Sequence, residues 1–464
     1  MIDKKILKKL HRICGKDGVM TNQRDLLLYQ YDASVDTALP DAVVLPTSAE
    51  QISQIVMLAN EAGLPLIARG SGSNLSGGTI PQFGGIIISF SKMNRILEVD
   101  LENRCAVVEA GVFNLDLQNV LAPMGYYFAP DPASQRISTI GGNIAENAGG
   151  PHCLKYGVTA NHVMGIEAVL ADGSIVEFGG KHEDDPGYDV AGLLVGSEGA
   201  LAIITKATVR INVVTEAVKT MLAIFDDMKK AANAVTDIIS KGIVPASLEM
   251  MDKPIIQTIE KAHKLGYPSD ADAVLVIEVD GPGISTEQEA ARIIDLCEKN
   301  GVKEVRIAKD DRERDDLWKG RRLSFGTLTQ LRPSIMIADG TVPRTKLPEV
   351  LDEVIKICKK FDLNVGNVFH AGDGNLHPFI VYDERDAEEK ARVFRATEEI
   401  LQVCVDAGGT ISGEHGIGIE KKEAMKMLFT EADFDVMRRV KRAFDPDNML
   451  NPNKIIPVTE MDNL

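Results

Sequence analysis

No stretch of this 464-residue chain offers about 18 consecutive apolar residues, the length a helix needs to cross a bilayer. Closely spaced cysteines are missing too. Cys14, Cys105, Cys153, Cys297, Cys358 and Cys404 stand far apart, without a CxxC pair or a metal-ribbon spacing. That excludes an iron–sulfur cluster built from neighbouring thiols and fits a reducing compartment. Positive charge is short: 51 Lys and Arg face 68 Asp and Glu, a net charge of −17, whereas a nucleic-acid binder needs a basic footprint. A few local cations can still dominate one pocket, so small anionic substrates stay open. Met1 to Gly15 holds Lys4, Lys5, Lys8 and Lys9 but no apolar segment, so no signal peptide is read there and a cytoplasmic location is expected. Internal repeats and low-complexity segments are absent. What remains, 44% hydrophobic and 26% charged residues, is the make-up of a globular protein of two or three domains.

Along the first half, short apolar strands alternate with glycine-rich turns. Ser48 to Ala62 has a helical pattern, with Ile52, Ile55, Val56 and Ala59 on one face and Gly63 ending it. Strands are expected at Leu66 to Ala68, Gly85 to Phe90, Cys105 to Glu109 and Leu201 to Asn212, and a hairpin around Asp172-Gly173. From about 216 the character changes to strand–helix cycles: Lys219 to Phe225 then Met228 to Ser240, and Ala273 to Val279 then Glu287 to Asn300, with Val305 to Ala308 as a further strand. This predicts a separate α+β domain with an antiparallel flavour. Lys421 to Pro457 reads as helical, ending in a Pro/Asn-rich stretch.

Arg69-Gly70-Ser71-Gly72-Ser73-Asn74-Leu75-Ser76-Gly77-Gly78 packs four glycines and three serines into ten residues. Such a loop lets backbone N–H groups approach an anion such as a pyrophosphate. It is neither a GxGxxG turn entering a helix nor a P-loop. Alone it could be a surface turn. A second small-residue stretch, Ser138 to Gly150 with Pro130-Asp131-Pro132 before it, suggests the opposite wall of one extended dinucleotide site, and Gly196-Ser197-Glu198-Gly199 a third piece.

In the second half, Val368 to Pro378 reads strand, tight turn, strand, bringing His370 and His377 to one edge of a hairpin. Thr410 to Gly418 sets Glu414 and His415 between glycines. A lone histidine more often satisfies a core hydrogen bond. Two His and one Glu in glycine-rich turns also make a plausible open divalent-metal site.

The three loops together resemble the FAD-binding domain of the vanillyl-alcohol oxidase/p-cresol methylhydroxylase superfamily, and the resemblance runs through the C-terminal half. It is nearest to glycolate oxidase catalytic subunits and D-lactate dehydrogenases. It implies an α+β fold: a two-subdomain FAD-binding domain at 1–215, a substrate or cap domain with an antiparallel sheet and the metal site at 216–420, and a C-terminal helical segment at 421–464 packing back on the FAD domain. Arg69, Gly70, Ser71, Gly72, Ser73, Asn74, Gly77 and Gly78 would hold the pyrophosphate of FAD. Pro132, Ser138, Thr139, Gly142, Asn143, Ala145, Gly149 and Gly157 would line the flavin, and Ile203 the adenine side. Covalent relatives often carry a histidine where Ser73 stands, so non-covalent FAD is expected. His152 and Cys153, just beyond the second loop, are read as structural. His370, His377 and Glu414 match the family's metal ligands, with zinc, iron or manganese open, and His415 its base.

The same resemblance makes Arg321, in Trp318-Lys319-Gly320-Arg321-Arg322, the cation for a substrate carboxylate, while Arg314, Lys319 and Arg322 are read as solvated charges. Ile335 to Gly340 lacks the lysine that relatives acting on 2-hydroxyglutarate place there, an apolar wall suited to lactate or another short D-2-hydroxy acid. The implied electron acceptor is a partner protein, either an electron-transferring flavoprotein, favoured here, or an iron–sulfur subunit. A metal-dependent hydrolase, a non-catalytic relay subunit and a flavin reductase of cell-wall precursors are the competing readings.

Overall fold

The computed structural model describes residues 2–182 and 186–457. The chain forms two compact units. The first comprises Met1–Gly150, Gly157–Val214 and Glu414–Leu464, and the second Pro151–Tyr156 and Thr215–Gly413.

Two sheets build the first unit. In the four-stranded one, Val19–Met20, Ala42–Val44, Ile86–Ser89 and Leu66–Arg69 lie in that order, the last three mutually parallel. Helix Ala49–Ala62 covers it. Ser48 caps the helix by accepting the Gln51 N–H, and Gly63 closes it in the left-handed region. Its buried Ile52, Ile55, Val56 and Ala59 recur at helical spacing and meet Val44, Leu66, Ile86 and Ile88 in one core. The five-stranded sheet is antiparallel, ordered Ile96–Asp100, Cys105–Glu109, Ile203–Arg210, Val163–Val169, Ile175–Gly179. The stretch expected to be a second loop is largely helical: Ile140–Glu146 starts at Thr139, whose Oγ1 accepts the Gly142 N–H, and its Ile140 and Ile144 sink into this sheet's core. Two isoleucines four apart outweigh the glycines between them.

The second unit is an antiparallel sheet with helices. Glu304–Ile307, Ala217–Phe225, Ala273–Gly281, Ser247–Asp252 and Asn364–His370 lie side by side, extended by Asn375–Leu376 and Gly340–Thr341. Pro378–Tyr382 joins Asn364–His370 to Ser334–Ile337. The strand Ser247–Asp252 and the helix Lys253–His263 were not read from the sequence, and the helix expected from Glu287 begins at Gly283.

The junction near 415 falls between Gly413 and Glu414, earlier than the expected 420. Gly413 N–H bonds Asp339 of the second unit, whereas Ile417 and Gly418 N–H groups bond Glu198 of the first. The tail is less helical than its composition suggests: a 3₁₀ turn Glu423–Met427, one helix Glu431–Phe444, then irregular chain.

Candidate active site

A cavity in the first unit gathers most of the predicted cofactor residues. Arg69, Gly70, Ser71, Gly72, Ser73, Asn74 and Gly78 line it, with Pro132, Ser138, Thr139, Gly142, Asn143, Ala145 and Gly149. Glu414 and His415 line the same cavity. The strand Leu66–Arg69 delivers the first loop, and helix Ile140–Glu146 presents the second. At Gly70 a Cβ would collide with Thr139 Oγ1, the oxygen that caps that helix, so only glycine lets the two segments close together. The buried Ser138 Oγ and Asn143 Nδ2 have no hydrogen-bond partner among the described residues. Buried polar atoms are seldom left so, and a polar ligand between the loops would satisfy them. The residues present therefore fit FAD.

Gly77, Gly157 and Ile203 are not on the cavity wall. Ile203 is buried in the core with Ile52 and Leu66, while its neighbours Ala202 and Ile204 line the cavity, as strand alternation requires. Gly77 sits against Ile419, and Gly157 against Asn161. Sequence reasoning missed Glu146 as a lining residue; Glu198 it quoted only as part of a loop. Burial raises both carboxyls, Glu146 further through Glu198 and Asp32, whereas the N–H bonds from Ile417 and Gly418 temper the rise at Glu198. Burial also pushes the Lys454 ammonium, beside these acids, down to about 7.

The second unit brings His370 and Arg321 to one buried acid, Glu249, and His377 to another, Asp339. Glu249, in Ser247–Asp252, stands directly opposite His370 in the antiparallel register. Its Oε1 lies 2.6 Å from His370 Nδ1, and its Oε2 accepts Arg321 Nε–H at 2.6 Å. Burial alone would raise the Glu249 carboxyl, but the His370 ring and Arg321 outweigh it and hold it below the ordinary range. With Nδ1 given to Glu249, Nε2 is the nitrogen His370 can offer a metal, the arrangement by which carboxylates orient metal-binding imidazoles. The His377 ring stands nearly perpendicular to that of His370, centroids 5.1 Å apart, and its Nε2 is 3.3 Å from Asp339 Oδ1. Asp339, fully buried, also accepts Ser412 Oγ–H and Gly413 N–H. His370 and His377 set two imidazoles, a donor type suited to a divalent cation, side by side.

Glu249 and Asp339 were missed as site residues. Glu249 lies in a largely apolar strand and Asp339 just past the end of one, a signal that only asking what a buried carboxylate pairs with could have raised. Arg314 is not a solvated charge: it forks onto the buried Glu278 at 2.9 and 2.7 Å. His152 and Trp318 complete that cluster, and Arg322 is exposed as expected. Ile335 and Ile337 pack onto the core around Trp318 and Phe379, so the stretch read as a pocket wall is partly spent on packing. None of the six cysteines forms a disulfide among the described residues. Among the described residues no helix is long and apolar enough to cross a membrane.

Residues 40–179 match the FAD binding domain family, and residues 214–455 the C-terminal domain of FAD linked oxidases. The chain is 41% identical over 457 residues to the glycolate oxidase subunit GlcD of Bacillus subtilis, covering 98% of this chain and 97% of that protein. It is 36% identical over 438 residues to a D-lactate dehydrogenase of Archaeoglobus fulgidus, covering 92% and 95%. A solved structure of p-cresol methylhydroxylase with substrate bound shares the fold at TM-score 0.82 and 19% identity, over 97% of this chain and 96% of that one. The chain shares the fold of p-cresol methylhydroxylase, and its cavity suits a flavoprotein. It belongs to the FAD-linked oxidases.

Proposed function

We propose that the protein is an FAD-dependent dehydrogenase that oxidises a small D-2-hydroxy acid, with D-lactate to pyruvate as the assignment, assisted by a divalent cation. The observation that carries this reading is the joint use of Glu249 by His370 and Arg321. One carboxylate orients a metal-binding imidazole and a guanidinium together, the two groups a 2-hydroxy acid needs at its hydroxyl and its carboxylate. Arg321 gives only its Nε to Glu249, and its Nη groups make no other hydrogen bond among the described residues. They are the donors for a substrate carboxylate. When bound, FAD supplies the acceptor for the hydride leaving the substrate Cα. His370 and His377 would hold the cation, with Glu414 the third ligand named by the sequence motif, and it would supply Lewis acidity at the hydroxyl oxygen. His415 takes the hydroxyl proton.

The names of the curated relatives support either D-lactate or glycolate as substrate. For a chain lacking its own iron–sulfur cysteines, electrons would pass to a partner protein: an electron-transferring flavoprotein linked to NAD is assigned first. A glycolate oxidase subunit feeding an iron–sulfur subunit is the alternative, favoured by the 41% identity to GlcD. The site and charge balance suggest no nucleic-acid role, and a cytoplasmic location is part of the same reading. A screen of both enantiomers of 2-hydroxy acids with a dye acceptor tests it. D-lactate should exceed L-lactate and D-2-hydroxyglutarate in kcat/KM, because the Ile335 to Ala338 stretch gives a second carboxylate no cation. Faster turnover of the dicarboxylate, or none of any 2-hydroxy acid, overturns the assignment.

A further inference from the structure

The turn bearing Glu414 and His415 is stapled from two sides within the first unit. Glu198 accepts the Ile417 N–H on Oε1 and the Gly418 N–H on Oε2, each at 2.7 Å. From the first glycine-rich loop, the Ser76 carbonyl accepts Ile419 N–H at 2.8 Å and Glu420 N–H at 3.2 Å. Gly416, at φ 84°, lies so close to the acids that a Cβ there would stand 2.6 Å from Glu146 Oε2 and 2.9 Å from Glu198 Oε1. Glu198 is anchored in turn: its carbonyl accepts Asn451 Nδ2–H at 2.7 Å, and the same amide reaches the Gly78 carbonyl at 2.8 Å.

A carboxylate only 6% exposed is costly unless it is well bonded, and an ordinary surface turn needs none. Here two charge-assisted bonds fix two consecutive peptide groups, so the turn has one orientation instead of several. Ser76 and Gly78 belong to the loop that lines the cofactor cavity, and Glu198 lines that cavity beside His415. We propose that Glu198 is a positioning residue, holding the His415 turn in the orientation the base needs and tying it to the cofactor cradle. The proposal rests on the reading of His415 as the base. Nothing in it requires Glu198 to touch substrate.

Glu198→Gln in the full-length holoenzyme is the test. It keeps the side-chain length and one acceptor oxygen but turns an amide against one of the two N–H groups. Turnover of D-lactate with dye should fall roughly tenfold to a hundredfold, the cost of a slightly misplaced group. KM, flavin content and the visible spectrum should stay near wild type, and the Ile417 and Gly418 amides should exchange faster. An unchanged kcat, or a kcat that falls only in step with lost flavin, overturns the proposal. Should the variant not fold, wild-type exchange decides: these two amides should be strongly protected, and exchange at the rate of an exposed turn overturns it. If the wild type oxidises no 2-hydroxy acid, the functional reading fails while the exchange comparison still decides the positioning role.

Discussion

The two units make their sites from opposite materials. The cofactor cavity is built of main chain and small side chains, Gly70 to Asn74 against Ser138 to Asn143, where what matters is the room that glycine leaves. The second unit relies on buried carboxylates, each shared by several partners: Glu249 by His370 and Arg321, Glu278 by Arg314, His152 and Trp318. A backbone cradle fails when a side chain is added. A charge cluster fails when one is taken away, because the partner is left buried and unpaired. The two sites should therefore be separable by mutation.

The largest effect is expected at His415. His415→Ala should lower kcat by about 10²–10⁴-fold, the usual worth of a positioned acid–base group, with flavin retained. A variant within threefold of wild type would refute the assignment. Next comes a double dissociation. His370→Ala should strip a bound divalent metal and most activity but leave the flavin, since His370 is not among the residues lining the cofactor cavity. Gly70→Ala should do the reverse, because its Cβ meets Thr139 Oγ1: flavin affinity should drop at least about tenfold while metal content holds. Flavin and metal measured on both proteins check this. Full activity in His370→Ala, or in chelated wild type, would end the metal proposal.

The same contrast governs what could be read from the chain. Glycine-rich loops announce themselves, and so did the strand and helix at Cys105–Glu109 and Met228–Ser240, whose bounds the periodicity reproduced. The second loop hid a helix because its glycines masked the Ile140–Ile144 pair. Ile203 lies in the core between two cavity-lining neighbours, an alternation that cannot be phased until a strand's partners are known. The charge clusters were half legible. His370, His377 and Arg321 stand in motifs, but Glu249, Asp339 and Glu278 lie in largely apolar strands or past their ends, joined to their partners over long sequence separations. Arg314 was misjudged for that reason: beside Asp310, Asp311, Asp315 and Asp316 it looks solvated, and its real partner is 36 residues upstream.

The smallest effect, and the one that isolates the structural half of the charge-cluster idea, lies at Glu278. Its carboxylate is 2% exposed and takes bonds from Arg314, Trp318 Nε1 and Thr220 Oγ1, with His152 Nε2 at 3.3 Å. Burial would raise its pKa, but His152 and Arg314 outweigh burial and hold it well below the ordinary range. A carboxyl depressed by folding stabilises fully above its unfolded value, about 4.3, and that contribution is lost as the pH falls below it towards the folded value. Glu278→Gln removes the charge and leaves the shape. At neutral pH it should cost about 2–3 kcal/mol, the worth of hydrogen bonds to a charged group, with Arg314 partly exposed and so partly rescued by water. Below about pH 4 the two proteins should converge, because the wild type loses there what the variant never had. Trp318, the sole tryptophan and itself bonded to Glu278, reports unfolding at the site by fluorescence in denaturant titrations across pH. A gap that stays constant with pH would mean that Glu278 acts through packing, and the charge cluster would lose its electrostatic role.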